Sequence, residues 1–112
     1  MAQASFTSEK RPKRRNRVLL GGIVSYDDGK RSAHCTIRDI TEAGARVALR
    51  GQQLPPAFFL INTRDRVVYE ANVIWSRGGE LGVSFHRTYR LADIKDPKLS
   101  YLAQLWFAHA AR

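Results

Sequence analysis

From Val18 onward the chain runs through short apolar stretches separated by turn residues, a spacing that predicts a small all-β sandwich or barrel over a helical fold. Residues 17–26 read as a first strand that meets Asp27-Asp28-Gly29, a hairpin signal, and residues 31–40 read as its returning partner. Three later sets alternate at period two: Ala45, Val47 and Leu49; Val67, Tyr69, Ala71, Val73 and Trp75; and Leu81, Val83 and Phe85. Each set lines one face of a strand, which assigns Trp75 to the barrel interior. Gly78-Gly79 joins the last two sets as a tight hairpin, Gln52 to Pro56 is a loop, and residues 57–62 supply a further strand.

In residues 31–40 the alternation slips. Cys35 and Ile37 share a parity that would turn Asp39 inward and Ile40 outward, so a bulge or strand end is expected near Arg38. The C-terminus changes character at Asp96-Pro97, where Asp96 suits a helix cap and Pro97 the first turn. Leu99, Leu102, Ala103, Trp106 and Ala110 then recur at helical spacing. That face would close the end of the barrel or dock on a partner, and core packing is the expected role because a buried face holds such helices in place. Trp106 and Phe107 are neighbours on the helix and cannot both face the same way, so one is expected at the surface. The reading is thus a six-stranded all-β sandwich or barrel over residues 18–86 followed by a C-terminal α-helix over residues 97–111.

A length of 112 residues argues for one domain. The formal charge of +9 is unevenly spread: Lys10, Arg11, Lys13, Arg14, Arg15 and Arg17 stand against Glu9 alone within the first 17 residues. Residues 1–9 are polar and aperiodic and read as a disordered tail. Residues 10–17 read as a basic arm whose guanidinium groups seek phosphate or another anion. The single cysteine, Cys35, cannot form an internal disulfide, and Cys and His are too few for a four-ligand zinc cluster, so neither metal nor cofactor is expected. Cys35 sits within an alternating strand and reads as a small core residue. A reducing cytoplasm is the expected compartment, and no apolar run approaches the ~20 residues needed to span a bilayer. No nucleophile, base or metal constellation stands out, so no enzyme is expected.

Two motifs carry the candidate chemistry. Arg11-Pro12-Lys13-Arg14-Arg15 contains an Arg-x-x-x-Arg, and Asp39-Ile40-Thr41-Glu42-Ala43-Gly44 contains an Asp-x-Thr-x-x-Gly. Pro12 biases Arg11 toward extended backbone, and four extended residues span at most ~13 Å. Arg11 and Arg15 would therefore grip separate points of one ligand. Arginine also matches the O6 and N7 edge of guanine, while the Asp39 carboxylate accepts from the N–H donors of guanine's other edge. Thr41 would share the Asp39 face if the segment stays extended, and Gly44 would permit a positive φ or close ligand approach. Lys13 and Arg17 also stand four apart and offer a second register for the arm.

In order and spacing these motifs resemble those of the PilZ domain family of bacterial cyclic di-GMP receptors, with Thr41 where the family usually has serine. Arg17-Val18-Leu19, Thr36-Ile37-Arg38-Asp39-Ile40, Ile74-Trp75-Ser76-Arg77 and Leu81-Gly82-Val83-Ser84-Phe85 extend the similarity over roughly residues 10–107. The resemblance implies an all-β fold, a six-stranded antiparallel β-barrel with a C-terminal α-helix. It also implies cyclic di-GMP as the ligand, with Arg11 and Arg15 on phosphate and guanine and Asp39, Thr41 and Gly44 on guanine; in that register of the arm, Arg14 is expected to add a phosphate contact. A mobile arm closing over the ligand would alter what a downstream protein partner sees. Two other readings stay open here: a basic barrel for RNA or single-stranded DNA, weakened by the lack of aromatic residues interleaved with basic ones, and a ligand-free adaptor of the same fold working by protein contacts.

Overall fold

The structure, a computed structural model, describes the backbone of residues 16–110 and the side chains of residues 18–110. The predicted tail over residues 1–9 and the arm residues Arg11, Lys13, Arg14 and Arg15 lie outside the described residues. Six strands follow one another: β1 (Asn16–Tyr26), β2 (Arg31–Ile40), β3 (Gly44–Ala48), β4 (Ala57–Asn62), β5 (Val67–Arg77) and β6 (Glu80–Arg90). They close into an antiparallel barrel in the order β1-β2-β3-β6-β5-β4. The last strand runs to Arg90, beyond the predicted barrel limit at residue 86.

The hairpins follow their turn residues. Asp27 and Asp28 take φ of 56° and 54°, and Gly78 and Gly79 take 62° and 82°, the left-handed backbone that short β-hairpin turns require. Inside the barrel, Val24, Ile37, Val47 and Leu60 are fully buried and Ala71 and Val83 nearly so, with Tyr69, Val73 and Phe85 packed against them. The alternating sets thus face inward as expected, up to Val73.

A second apolar layer lies on the outer wall. Ile23 pairs with Ile61 and Ile61 with Val68, one row across β1, β4 and β5 that faces away from the interior row of Val24 and Leu60. The consecutive apolar pairs Ile23-Val24 and Leu60-Ile61 encode strands buried on both faces. Helix α1 (Ser100–Ala110) covers this row, with Leu102 fully buried and Leu99, Tyr101, Leu105 and Trp106 around it. It therefore lies along the wall and does not close the barrel end. Ala103 and Ala110, expected on its buried face, are exposed, because Tyr101 and Leu105 supply the bulk the wall needs. Pro97–Leu99 forms a 3-10 turn ahead of α1, with Asp96 accepting from the Lys98 N–H at 2.9 Å as a cap. Of the adjacent aromatics, Trp106 is half-buried and Phe107 is exposed. Among the described residues, no helix is long and apolar enough to cross a membrane.

Candidate ligand-binding cleft

Two β-bulges build the site. Ile37 pairs with Val47 inside the barrel, and the next pair is Asp39 with Arg46, leaving Arg38 as the extra residue. That bulge reverses the parity of β2, so Asp39 joins Arg46 on the outer wall and Ile40 returns inward beside Ala45. The parity conflict in the sequence has this resolution. On β5 the same device recurs: Val73 pairs with Val83 inside, Ile74 is the extra residue, and Trp75 pairs with Gly82 outside. Trp75 is therefore not a core residue as its spacing suggested; it is 41% exposed on the outer wall.

Because Arg46 also pairs with Gly82, the residues Asp39, Arg46, Gly82 and Trp75 form one row across β2, β3, β6 and β5. They line a cleft of about 270 Å³ together with Thr41, Gly44 and Ile74. The Cα of Arg17 on β1 pairs with that of Asp39, so the end of the basic arm continues the row.

Asp39 is 3% exposed although it faces outward. Its Oδ2 accepts from Arg46 Nε at 2.6 Å, and Arg46 Nη1 donates to both oxygens of Glu80 at 3.0 and 3.2 Å. Arg38 Nε approaches Glu80 at 3.7 Å and completes a charged chain. The hydrogen bonds to Asp39 and then Glu80 hold the Arg46 proton more tightly than usual. Asp39 Oδ1 is buried and has no hydrogen-bond partner among the described residues. The cleft thus combines a carboxylate, a guanidinium and an indole.

Thr41 and Gly44 shape this surface. Thr41 Oγ1 accepts from the N–H groups of Ala43 and Gly44 at 3.0 and 3.1 Å, and Thr41 N–H donates to Gly44 O at 2.8 Å. The hydroxyl thereby locks the turn between β2 and β3. Phe85 N–H donates to Ala43 O at 2.8 Å, tying the turn to β6. Gly44 is not among the residues with positive φ. Its constraint is spatial: a Cβ there would lie 2.2 Å from Val83 O, so β3 approaches β6 this closely only with glycine.

The structure brings Asp39, Thr41 and Gly44 together, while Arg11, Arg14 and Arg15 lie outside the described residues. Sequence reasoning missed Arg46, Glu80, Trp75 and Gly82. Aligning the hairpin across a two-residue Glu42-Ala43 turn, with Thr41 opposite Gly44, would have set Arg46 opposite Asp39. Cys35 is buried, and burial pushes its thiol up to about 12, which agrees with a core role. Among the described residues, no three His, Cys, Asp or Glu side chains are grouped to hold a metal ion.

The PilZ domain family model matches residues 9–96. The crystal structure of the PilZ domain of CeSA from a cellulose-synthesizing bacterium is similar at a TM-score of 0.51 and 14% identity, over 87% of this chain and 98% of that one. At this identity the likeness shows a shared fold. A comparison with curated proteins finds no match.

Proposed function

The chain belongs to the PilZ domain family, and on that premise we propose that it is a cytoplasmic receptor for cyclic di-GMP whose basic arm closes over the ligand against the Asp39–Trp75 cleft. Binding is the whole of its activity, and a downstream protein reads the closed state. The observation that carries this reading is the pairing of Arg17 with Asp39. Arg15 is two residues from Arg17 and Arg11 is six, reaches of at most ~7 and ~21 Å of extended chain. That reach lets both motifs engage one ligand in the proposed complex.

The chemistry divides accordingly. Arg11, Arg14 and Arg15 supply charge-assisted donors to phosphates and to the O6 and N7 edge of guanine. Asp39 accepts from guanine N–H groups. Thr41 and Gly44 hold the turn that presents Asp39, and the Trp75 indole offers a face on which a base stacks. Ordering the arm costs ~1–2 kcal/mol for each fixed backbone residue, and these contacts must exceed that cost.

Calorimetric titration with cyclic di-GMP, beside GTP and the linear dinucleotide, tests the reading. Saturable binding of the cyclic ligand, with the controls much weaker, is expected. Equal binding of all three, or of none, would overturn it.

A further inference from the structure

Two histidines that the ligand cleft leaves unused meet on the helix side of the barrel. His34 pairs with Ile23 across β1 and β2, so it stands on the outer wall at the end of the row Ile23, Ile61 and Val68 that α1 covers. His109 lies in the last turn of α1, four residues after Leu105 and seven after Leu102, on the helix face that packs against this row. Strand parity and helix period thus bring together two rings that stand 75 residues apart in the chain.

His109 Nδ1 and His34 Nε2 are 3.4 Å apart, and the two rings meet edge to face at 84°. That separation is long beside the ~2.9–3.0 Å typical of a protein N–H···O bond. It matches instead the edge of a tetrahedron around a shared ion: two imidazole nitrogens each ~2.0–2.1 Å from zinc stand about 3.3–3.4 Å apart. The setting moderates the repulsion that a chain of charge +9 exerts on a cation. The C-terminus of an α-helix carries partial negative charge on its carbonyls, and the neighbours of His34 on its face, Ser32, Thr36 and Ile23, are uncharged. His34 is exposed and His109 half-buried, so solvent reaches the pair. Cys35, adjacent in sequence, is buried on the interior side and does not join them.

We propose that His34 and His109 form a two-imidazole site for a divalent transition-metal ion of the zinc and nickel class, which clamps the last turn of α1 to β2. Imidazole suits these ions, whereas magnesium prefers oxygen ligands. With two ligands from the described residues, the ion keeps its other positions for water. Its effect is mechanical: only the folded chain presents both nitrogens together, so binding stabilises the docked helix by mass action. The inference does not depend on the ligand of the Asp39 cleft.

The test titrates the full chain with zinc chloride and with nickel chloride, with magnesium chloride as the control, by calorimetry and thermal melting, and follows the imidazole resonances on adding zinc. One zinc or nickel ion per chain, shifts at His34 and His109, and a melting temperature that rises with the concentration of either ion are expected, with no response to magnesium. His34→Ala and His109→Ala should each weaken binding at least tenfold and abolish the rise in melting temperature, while His86→Ala, at the third histidine of the chain, should change neither. His109→Gln keeps the bulk over the wall and should lose the metal response as His109→Ala does, which separates ligation from helix packing. Three results would overturn the proposal: no saturable binding of either ion, binding indifferent to the His34 and His109 substitutions, or one ion held between two copies of the chain.

Discussion

The indole of Trp75 occupies the space that a side chain at Gly82 would need: a Cβ at Gly82 would fall 2.1 Å from Trp75 Nε1. The bulge at Ile74 and the bare position at Gly82 thus act together, one turning the ring outward and the other giving it a seat.

Gly82→Ala and Gly44→Ala should separate site geometry from barrel integrity. At Gly82 the obstacle is a partly exposed indole that can swing aside, so stability should fall by less than about 1 kcal/mol while Trp75 fluorescence changes. At Gly44 the obstacle is Val83 backbone, 2.2 Å from the added Cβ, and the loss should reach about 1–3 kcal/mol. Chemical denaturation with fluorescence detection checks both. Equal losses would contradict the distinction.

The charged chain through Arg46 yields a second expectation. Arg46→Ala leaves the nearly buried Asp39 without its cationic partner, whereas Glu80→Gln keeps the Arg46–Asp39 bond at 2.6 Å. Arg46→Ala should lower the melting temperature by several degrees, and Glu80→Gln should lower it much less, because the cost arises from stranding a desolvated carboxylate. The double variant Arg46→Ala with Asp39→Asn should recover part of the loss.

Cys35 gives the pH dependence. Burial raises its thiol from 9.0 to about 12, so the folded state keeps the proton that the unfolded chain releases. Its contribution is fully present below about pH 9 and is lost as pH rises toward 12. The stability difference between wild type and Cys35→Ala should therefore shrink across that window. Below it, the native thiol should react with a disulfide reagent no faster than the protein opens.

Much of the fold was legible because strands facing a barrel interior alternate, as Ala45, Val47 and Leu49 do, and because the Asp-Asp-Gly and Gly-Gly turns need left-handed backbone. The bulge at Arg38 was visible because Asp39 is polar and broke the pattern. The bulge at Ile74 was invisible because Val73, Ile74 and Trp75 are all apolar, so either parity looked acceptable and Trp75 was assigned inward. Arg46 escaped notice for the opposite reason: a charged residue between Ala45 and Val47 looks like an ordinary solvated position until its strand is aligned with Asp39. On the helix, Ala103 and Ala110 share a helical face with Leu99 and Leu102, yet the wall needed the bulk of Tyr101 and Leu105.

The central claim is that the arm and the Asp39 cleft grip one ligand together. A double-mutant cycle on Arg15→Ala and Asp39→Ala, titrated with cyclic di-GMP, tests this most directly. Each lost charge-assisted contact should cost ~1.5–3 kcal/mol, roughly 10- to 150-fold in affinity, and the double variant should lose less than the two effects combined because neither half grips well alone. Wild-type affinity in either single variant would contradict the account.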